Sequence, residues 1–420
     1  MPTAFVERGM TTTNAVLATT DSTNDEERLY AARARRQLAR VGLNATSIER
    51  FLTDTVEVDL HAKTILSLSL GTLGVLHATS LCIHVVGRAM AWARGTDPKH
   101  GIKQFDRMLS NIGFSPWTVA RPWVSFVLGE RQEAAIALDW TEFDGDEQAT
   151  LCAYLMTRHG RATPLLWKTV DKSTLLGRRN YYEDDLLEML RQCIADSVKV
   201  TIVADRGFGD QKRYEHIRSL GFQYAIRFRQ DILLTDEFGE QKPAIEWLHS
   251  SGRARMLKQV AVTTDCYIPP AIVLVHDKKM KDPWCIATSR DDLAAAEIVK
   301  LYGRRFSIEE TFRDTKNIHF GMGLSATHIG DPARRDRLLF IAAFAHVLLT
   351  LLGAAGERCG LDRTLKANTT KTRTLSLYNQ GCHWYMAIPN MREERLVRLM
   401  TAYGEVMREH EFIRDLLGVL

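Results

Sequence analysis

Along the first third of the chain, apolar positions recur at helical spacing. Residues 28–130 read as helices: ERLYAARARRQLARVGL, SIERFLTDTVE with Ser47 as a candidate N-cap, an apolar stretch over 64–90, and ARGTDPKHGIKQFDRMLSN after a proline turn. At residue 131 the pattern changes. QEAAIALDWTEF is a short apolar run rich in strand formers, and ATLCAYLMTRHG and RATPLLWKTV read as its hairpin partners, turning near Gly160. NYYEDDLLEMLRQCIAD is an amphipathic helix, VKVTIVADRGFGD a buried strand, DQKRYEHIRSLGF a helix and FQYAIRFRQDILLTD a strand. Strands followed by alternating helix and strand predict an α/β domain with a mixed sheet, here over 131–325. Within it, residues 231–289 show strand and turn without a helix, a β-rich insertion. EIVKLYGRRFSIEETFRDTK then returns as one long helix, and 326–420 is mostly helical.

The most apolar run is LLFIAAFAHVLLTLLGAA, Leu338 to Ala355. It lies at the lower edge of the length that spans a bilayer. It contains His346 and Thr350 and continues from the charged PARRDRLL, so it reads as a buried helix. Thr64 to Val86 reads as core for similar reasons, and no membrane association is expected. Residues 1–27, rich in Thr, Asn and Asp, read as a disordered lead without the layout of a secretory signal.

Composition adds bounds rather than identity. In 420 residues, 45% are hydrophobic and 25% charged, as in soluble globular proteins of two or three domains. The formal net charge of +4 permits a nucleic-acid partner without requiring one, so any such surface must come from local clustering. The seven cysteines form no CxxC pair, which argues against a zinc site or disulfide framework and fits reduced thiols in a cytoplasm.

Three carboxylates stand out. Asp139 follows the apolar AAIAL and Asp205 follows VTIVA, both read as strand ends, where α/β folds place ligands. A lone aspartate there is commonly a turn or helix cap. The third is Glu309. At about 100° per residue, Arg305 and Glu309 lie one turn apart, and Tyr302 and Lys316 lie seven residues to either side of Glu309, which places all four on one stripe. Carboxylates from two strands and a helix are what two Mg²⁺ ions require to work on a phosphodiester. Flanking Arg305, Lys316 and Tyr302 would then contact DNA phosphates. Glu142, Asp144, Asp146 and Asp210 read as solvated loop acids, and Glu310 points about 100° away from Glu309.

At these residues the chain resembles the bacterial insertion-sequence DDE transposases of the insertion sequence 4 family. Tyr302-x2-Arg305-x3-Glu309-x6-Lys316 matches their YREK pattern. The likeness runs from about residue 95 to 380, through KHGIKQFDRMLSN, ALDWTEF, VADRGF, DPWCIATS, IEETFRDTK, GMGL and KANTTKTR, and is strongest to the insertion sequence 10 group. The resemblance implies an α/β, RNase H-like mixed-sheet catalytic core with a β-rich insertion, flanked by N- and C-terminal helical regions, the first of them binding DNA ends. It implies Asp139, Asp205 and Glu309 as catalytic and metal-binding residues for two Mg²⁺ ions, with Mn²⁺ as a substitute. Tyr302, Arg305 and Lys316 would bind DNA. Trp284 would stack on a base flipped out during hairpin formation, and Arg206 would be a further DNA contact. The implied activity is cut-and-paste transposition through a hairpin. The implied partners are terminal inverted repeats and target DNA, with a homodimer in the synaptic complex, in the bacterial cytoplasm at the nucleoid. A metal-dependent nuclease of the same fold, or a decayed transposase that only binds DNA, remain alternatives.

Overall fold

The architecture is that of a computed structural model, which describes residues 45–56, 60–263, 267–319 and 321–409. The lead at 1–27, the first basic segment to residue 44, and Cys266 lie outside the described residues. Among the described residues, five helices come first: α1 (Ala45–Val56), α2 (Ala62–Ala78), α3 (Ile83–Arg94), α4 (Pro98–Leu109) and α5 (Ala120–Leu128). Ser47 lies inside α1 rather than capping it. The apolar 64–90 stretch is bent: Thr79 takes a left-handed conformation that ends α2, and α3 leaves at 102°. Asp97 caps α4 by accepting from Lys99 N–H, with Pro98 at the first helical position, as the proline turn foretold.

The sheet follows: β1 (Glu133–Phe143), β2 (Gln148–Leu155) and β3 (Thr163–Asp171), then α6 (Arg179–Cys193), β4 (Lys199–Ala204), α7 (Gln211–Ser219) and β5 (Gln223–Phe228). β1, β2 and β3 are an antiparallel meander, while β4 runs parallel to β1 and β5 parallel to β4. The order β3-β2-β1-β4-β5 with these directions is an RNase H-like core. The β-rich stretch then divides. β6 (Leu233–Thr235), β7 (Gln241–Pro243) and β9 (Ala261–Val262) form a separate small sheet. β8 (Arg255–Leu257), β10 (Ala271–Val275) and β11 (Trp284–Thr288) extend the main sheet to eight strands, with β11 antiparallel to β5.

The expected single helix after the insertion is two: α8 (Ala295–Gly303) and α9 (Phe306–Lys316). Between them the backbone tightens to i→i−3 bonding, with Arg305 N–H donating to Tyr302 C=O (2.9 Å) and Ile308 N–H to Arg305 C=O (2.9 Å). α9 is fixed in its own orientation by docking on the turn before β3: Ala162 N–H donates to Ser307 C=O and Thr311 Oγ1 donates to Ala162 C=O. Three helices complete the described chain: α10 (Pro332–Arg358), α11 (Leu377–Ala387) and α12 (Glu393–Arg408).

α10 holds the run that could by length and composition cross a membrane, and that run is wholly buried inside the protein. It packs so closely on α11 that a Cβ on Gly353 would lie 1.9 Å from Leu377 O, and one on Gly381 1.8 Å from Leu349 O. Polar groups on its first turns also turn inward. Asp336 is buried, accepts from Thr169 N–H at 3.0 Å, and has its carboxyl pushed up to about 7 by that burial.

Because its native pKa lies above the usual value, Asp336 stabilises the fold most fully below about pH 4, and that stabilisation is lost as pH rises through about 7. Urea unfolding should show wild type losing about 2–3 kcal/mol more than Asp336→Asn between pH 5 and pH 8. Parallel pH profiles for the two proteins would exclude this assignment.

Candidate active site

The parallel register of β1 on β4 ends at the pair Leu138 and Ala204. Asp139 and Asp205 are the next residues on each strand, so they stand side by side at the middle of the sheet. β4 stops there: Asp205 Oδ1 accepts from Gly207 N–H (2.8 Å) and starts a 3₁₀ turn over Arg206–Phe208. Asp139 is not at a strand end as expected. β1 continues four residues to Phe143 because β2 goes on pairing with it, from Asp139 opposite Cys152 to Phe143 opposite Gln148.

Glu309 approaches from α9, and Arg305 joins it to the strands. Arg305 Nη1 donates to Asp139 Oδ2 at 2.9 Å and Nη2 donates to Glu309 Oε1 at 2.7 Å. Arg305 is 6% exposed and its Nε has no partner. Burial pushes the Asp139 carboxyl up to about 6; Arg305 opposes this, while Asp205 and Glu309 add to it. Burial also works against the charge of Arg305, and Tyr302, Asp139, Glu309 and Asp205 together outweigh it, raising its pKa. The three carboxylates therefore share one electrostatic locus. Among the described residues, no three or more His, Cys, Asp and Glu side chains are gathered closely enough to hold a metal ion. The cation between Asp139 and Glu309 is Arg305. The fit to Mg²⁺ is in donor chemistry: half-buried and exposed carboxylate oxygens, from three elements, around a locus with excess negative charge.

The remaining site residues differ in their placement. Tyr302 is buried, with its ring edge-on to Trp284 at 4.9 Å, so its body packs inward. Trp284 opens β11, half-buried, with the Phe306 ring also near it at 5.9 Å. Lys316 is drawn onto the outgoing half of β1: its Nζ donates to Thr141 Oγ1 (3.1 Å) and Glu142 C=O (2.6 Å) and lies 4.9 Å from the Phe143 ring. Burial lowers its pKa. Beside it lies an open groove of about 520 Å³ lined by Phe312, Arg313, Asn317 and Ser325. Arg206 is exposed and makes no ion pair among the described residues.

Of the acids expected to be solvated, Glu142 and Asp144 pair with Lys172 at the surface and Asp210 caps α7; Glu310, expected to point away from Glu309, pairs with Arg313. Asp146 departs from the expectation. It is nearly buried, paired with Arg335 and accepting from Ile329 N–H, which fastens the β1–β2 turn to α10.

Two supporting networks escaped the sequence reading. Trp140, next to Asp139, donates from Nε1 to buried Glu183 (2.8 Å), which pairs with buried Arg213 (2.7 Å). On the other side, buried Arg161 pairs with buried Asp314, five residues past Glu309 on α9. One of the two arginines in TRHGRA and an Asp in RDTK, 153 residues apart, carry no local signal of their pairing.

Residues 178–348 match a family model described as "Transposase DDE domain". The matched span contains Asp205, Arg206, Trp284, Tyr302, Arg305, Glu309 and Lys316, and begins after Asp139. No curated protein matches the chain. With the sheet order and the paired aspartates, this match supports a DDE transposase, a DNA-acting enzyme class that generally uses divalent metal ions.

Removing Arg161 as Arg161→Met strands the Asp314 carboxylate in the interior, and loss of one partner of a buried pair costs about 3–5 kcal/mol. Urea denaturation should read a loss of this size. In the double variant Arg161→Met/Asp314→Leu much of it should return; no recovery would mean that the pair does not act as a unit.

Proposed function

We propose that the protein is a cut-and-paste transposase of the insertion sequence 4 type. The observation that carries the reading is the coupling of Asp139, Asp205 and Glu309 through adjacent strand positions and one buried arginine. Asp139, Asp205 and Glu309 would hold the metal ions. When bound, such ions supply activation of an attacking oxygen and stabilisation of a leaving one at phosphorus.

The chain's own groups do the rest. Arg305, Lys316 and Tyr302 orient phosphate oxygens, and Arg206 lies exposed beside Asp205 as a further DNA contact. The Trp140–Glu183–Arg213 and Arg161–Asp314 networks hold β1 and α9 so that the carboxylates keep their relation. Each reaction step exchanges one P–O bond for another. Water nicks a strand at the element's end, the freed 3′-OH attacks the opposite strand to close a hairpin, water reopens it, and the 3′-OH joins target DNA. Trp284 offers a half-buried indole face for the base displaced in the hairpin. Its packing on Tyr302 and Phe306 supports a rigid stacking platform.

End recognition falls to the helical region at 28–130. There, a cleft of about 770 Å³ between α2 and α4 is lined by Lys63, His100, Lys103 and Arg107, with Thr64, Ser67 and Asn111. None of the three Lys and Arg side chains makes an ion pair among the described residues, and Asp106 of α4 is turned to Arg334 instead. This uncompensated charge suits a DNA backbone. A homodimer would hold two ends in the synaptic complex, in the bacterial cytoplasm at the nucleoid.

The first test is excision in a bacterial host, with the gene's native flanking DNA around a marker and the protein supplied separately. Wild type should excise and reinsert the marker, and Glu309→Gln should fall to background. Excision without joining would favour a nuclease, and end binding without excision by wild type would favour a decayed element. In a step-resolved assay Trp284→Ala should slow hairpin closure, by the loss of about 1–3 kcal/mol of stacking, more than the first nick. Equal slowing of both steps would assign Trp284 to packing against Tyr302.

A further inference from the structure

Arg305 is not an ordinary surface ion pair. Its guanidinium takes Asp139 Oδ2 and Glu309 Oε1 together, at 2.9 and 2.7 Å, and it is 6% exposed. These oxygens belong to two of the three carboxylates that the proposed function assigns to metal. A divalent cation and the guanidinium therefore compete for the same atoms, and two cations on those oxygens would repel each other. The arginine is also incompletely satisfied. Its Nε is buried without a partner, and it brings one positive charge to a locus of three carboxylates. It lies one layer beneath the surface: Glu309 is half exposed and Phe306 is exposed, with the Phe306 ring 5.2 Å and the Tyr302 ring 5.9 Å from the guanidinium.

We propose that Arg305 is the resident counter-ion of this carboxylate locus in the DNA-free protein, and that a DNA phosphate draws it off, so that metal loading is coupled to DNA engagement. The proposal rests on the reading of Asp139 and Glu309 as metal-binding residues. A phosphate offers what the present partners do not: oxygens for a two-pronged contact that includes the unpartnered Nε. Once Arg305 turns to it, the Asp139 and Glu309 oxygens lose their cation and the locus carries its full negative charge. Metal then binds where DNA is already in place, which restrains hydrolysis away from an engaged end. Thermodynamic linkage makes the effect reciprocal: metal must raise DNA affinity by the same factor by which DNA raises metal affinity.

The test uses the full chain and Mn²⁺, with binding read from loss of the paramagnetic signal of the free aquo ion, with and without a duplex of the gene's native terminal flank. Wild type should bind Mn²⁺ at least about tenfold more tightly with DNA than without. Arg305→Gln and Arg305→Ala should bind Mn²⁺ without DNA at least about tenfold more tightly than wild type does, and addition of Asp139→Asn to either should remove that gain. In the reciprocal experiment Mn²⁺ should tighten DNA binding of wild type, while the same ratio for Arg305→Gln should approach one, however much its overall DNA affinity has fallen. Equal Mn²⁺ affinity of DNA-free wild type and both variants would overturn the coupling and leave the metal reading standing. Absence of Mn²⁺ binding by every protein, with DNA as well as without, would sink the metal reading itself. Two variants guard against misfolding of one, since glutamine keeps much of the arginine's packing volume.

Discussion

The site depends on the parallel pairing of β1 with β4. That register ends at Leu138 and Ala204, and it alone brings Asp139 and Asp205, 66 positions apart in the chain, to neighbouring points of one sheet. Two carboxylates so placed, with a third from α9, would repel one another: burial raises the pKa of Asp139, and Asp205 and Glu309 add to that rise. The fold must supply positive charge to the same place, and it does so from within. Arg305 stands at the step between α8 and α9, where the backbone tightens, and spans from strand to helix. A continuous α-helix would carry the same residues, but the tightened step lets α9 dock on Ala162 while Arg305 turns into the sheet.

The surrounding charges follow the same logic. Arg213 serves Glu183, Arg161 serves Asp314, and Arg335 serves Asp146, each arginine itself being buried. Such pairs contribute little net stability, because desolvation offsets much of their attraction, yet breaking one is costly. Their arrangement suggests what they do contribute. Each joins separate elements around the main sheet: α6 to α7, the β2–β3 turn to α9, the β1–β2 turn to α10. A core of aliphatic contacts tolerates small slips, whereas a buried guanidinium with a fixed fork does not, and three of them hold the carboxylate-bearing elements in register.

Much of this was legible in the sequence. Strand and helix periods located β1 to β5, α6 and α7, and the spacing of Tyr302, Arg305, Glu309 and Lys316 singled out α9. What escaped notice was set by pairing across the fold. Asp139 looked like a strand end because an acid closed an apolar run, but β2 supplies hydrogen bonds that carry β1 on to Phe143. The stripe presumes one straight helix, but the step at Arg304 and Arg305 divides it, and its members meet different fates. Tyr302 goes under Trp284, Arg305 to the carboxylates and Lys316 to Thr141. The β-rich stretch gave no sign of which strands would leave the main sheet, because that division is set by which strands pair across the fold.

That division of the β-rich stretch has a consequence for Trp284. Were the whole stretch a separate lobe, the indole would ride on a unit able to shift against the core. Instead β11 pairs with β5 from Cys285 opposite Phe228 to Thr288 opposite Ala225, and β5 pairs in turn with β4, the strand that delivers Asp205. Trp284 is therefore tied to Asp205 through two strand pairings, and to Arg305 through the rings of Tyr302 and Phe306. A base stacked there would be held at a fixed relation to the carboxylates without any closing movement. The rigid sheet places the indole, and the small sheet of β6, β7 and β9 is left free to differ without disturbing it.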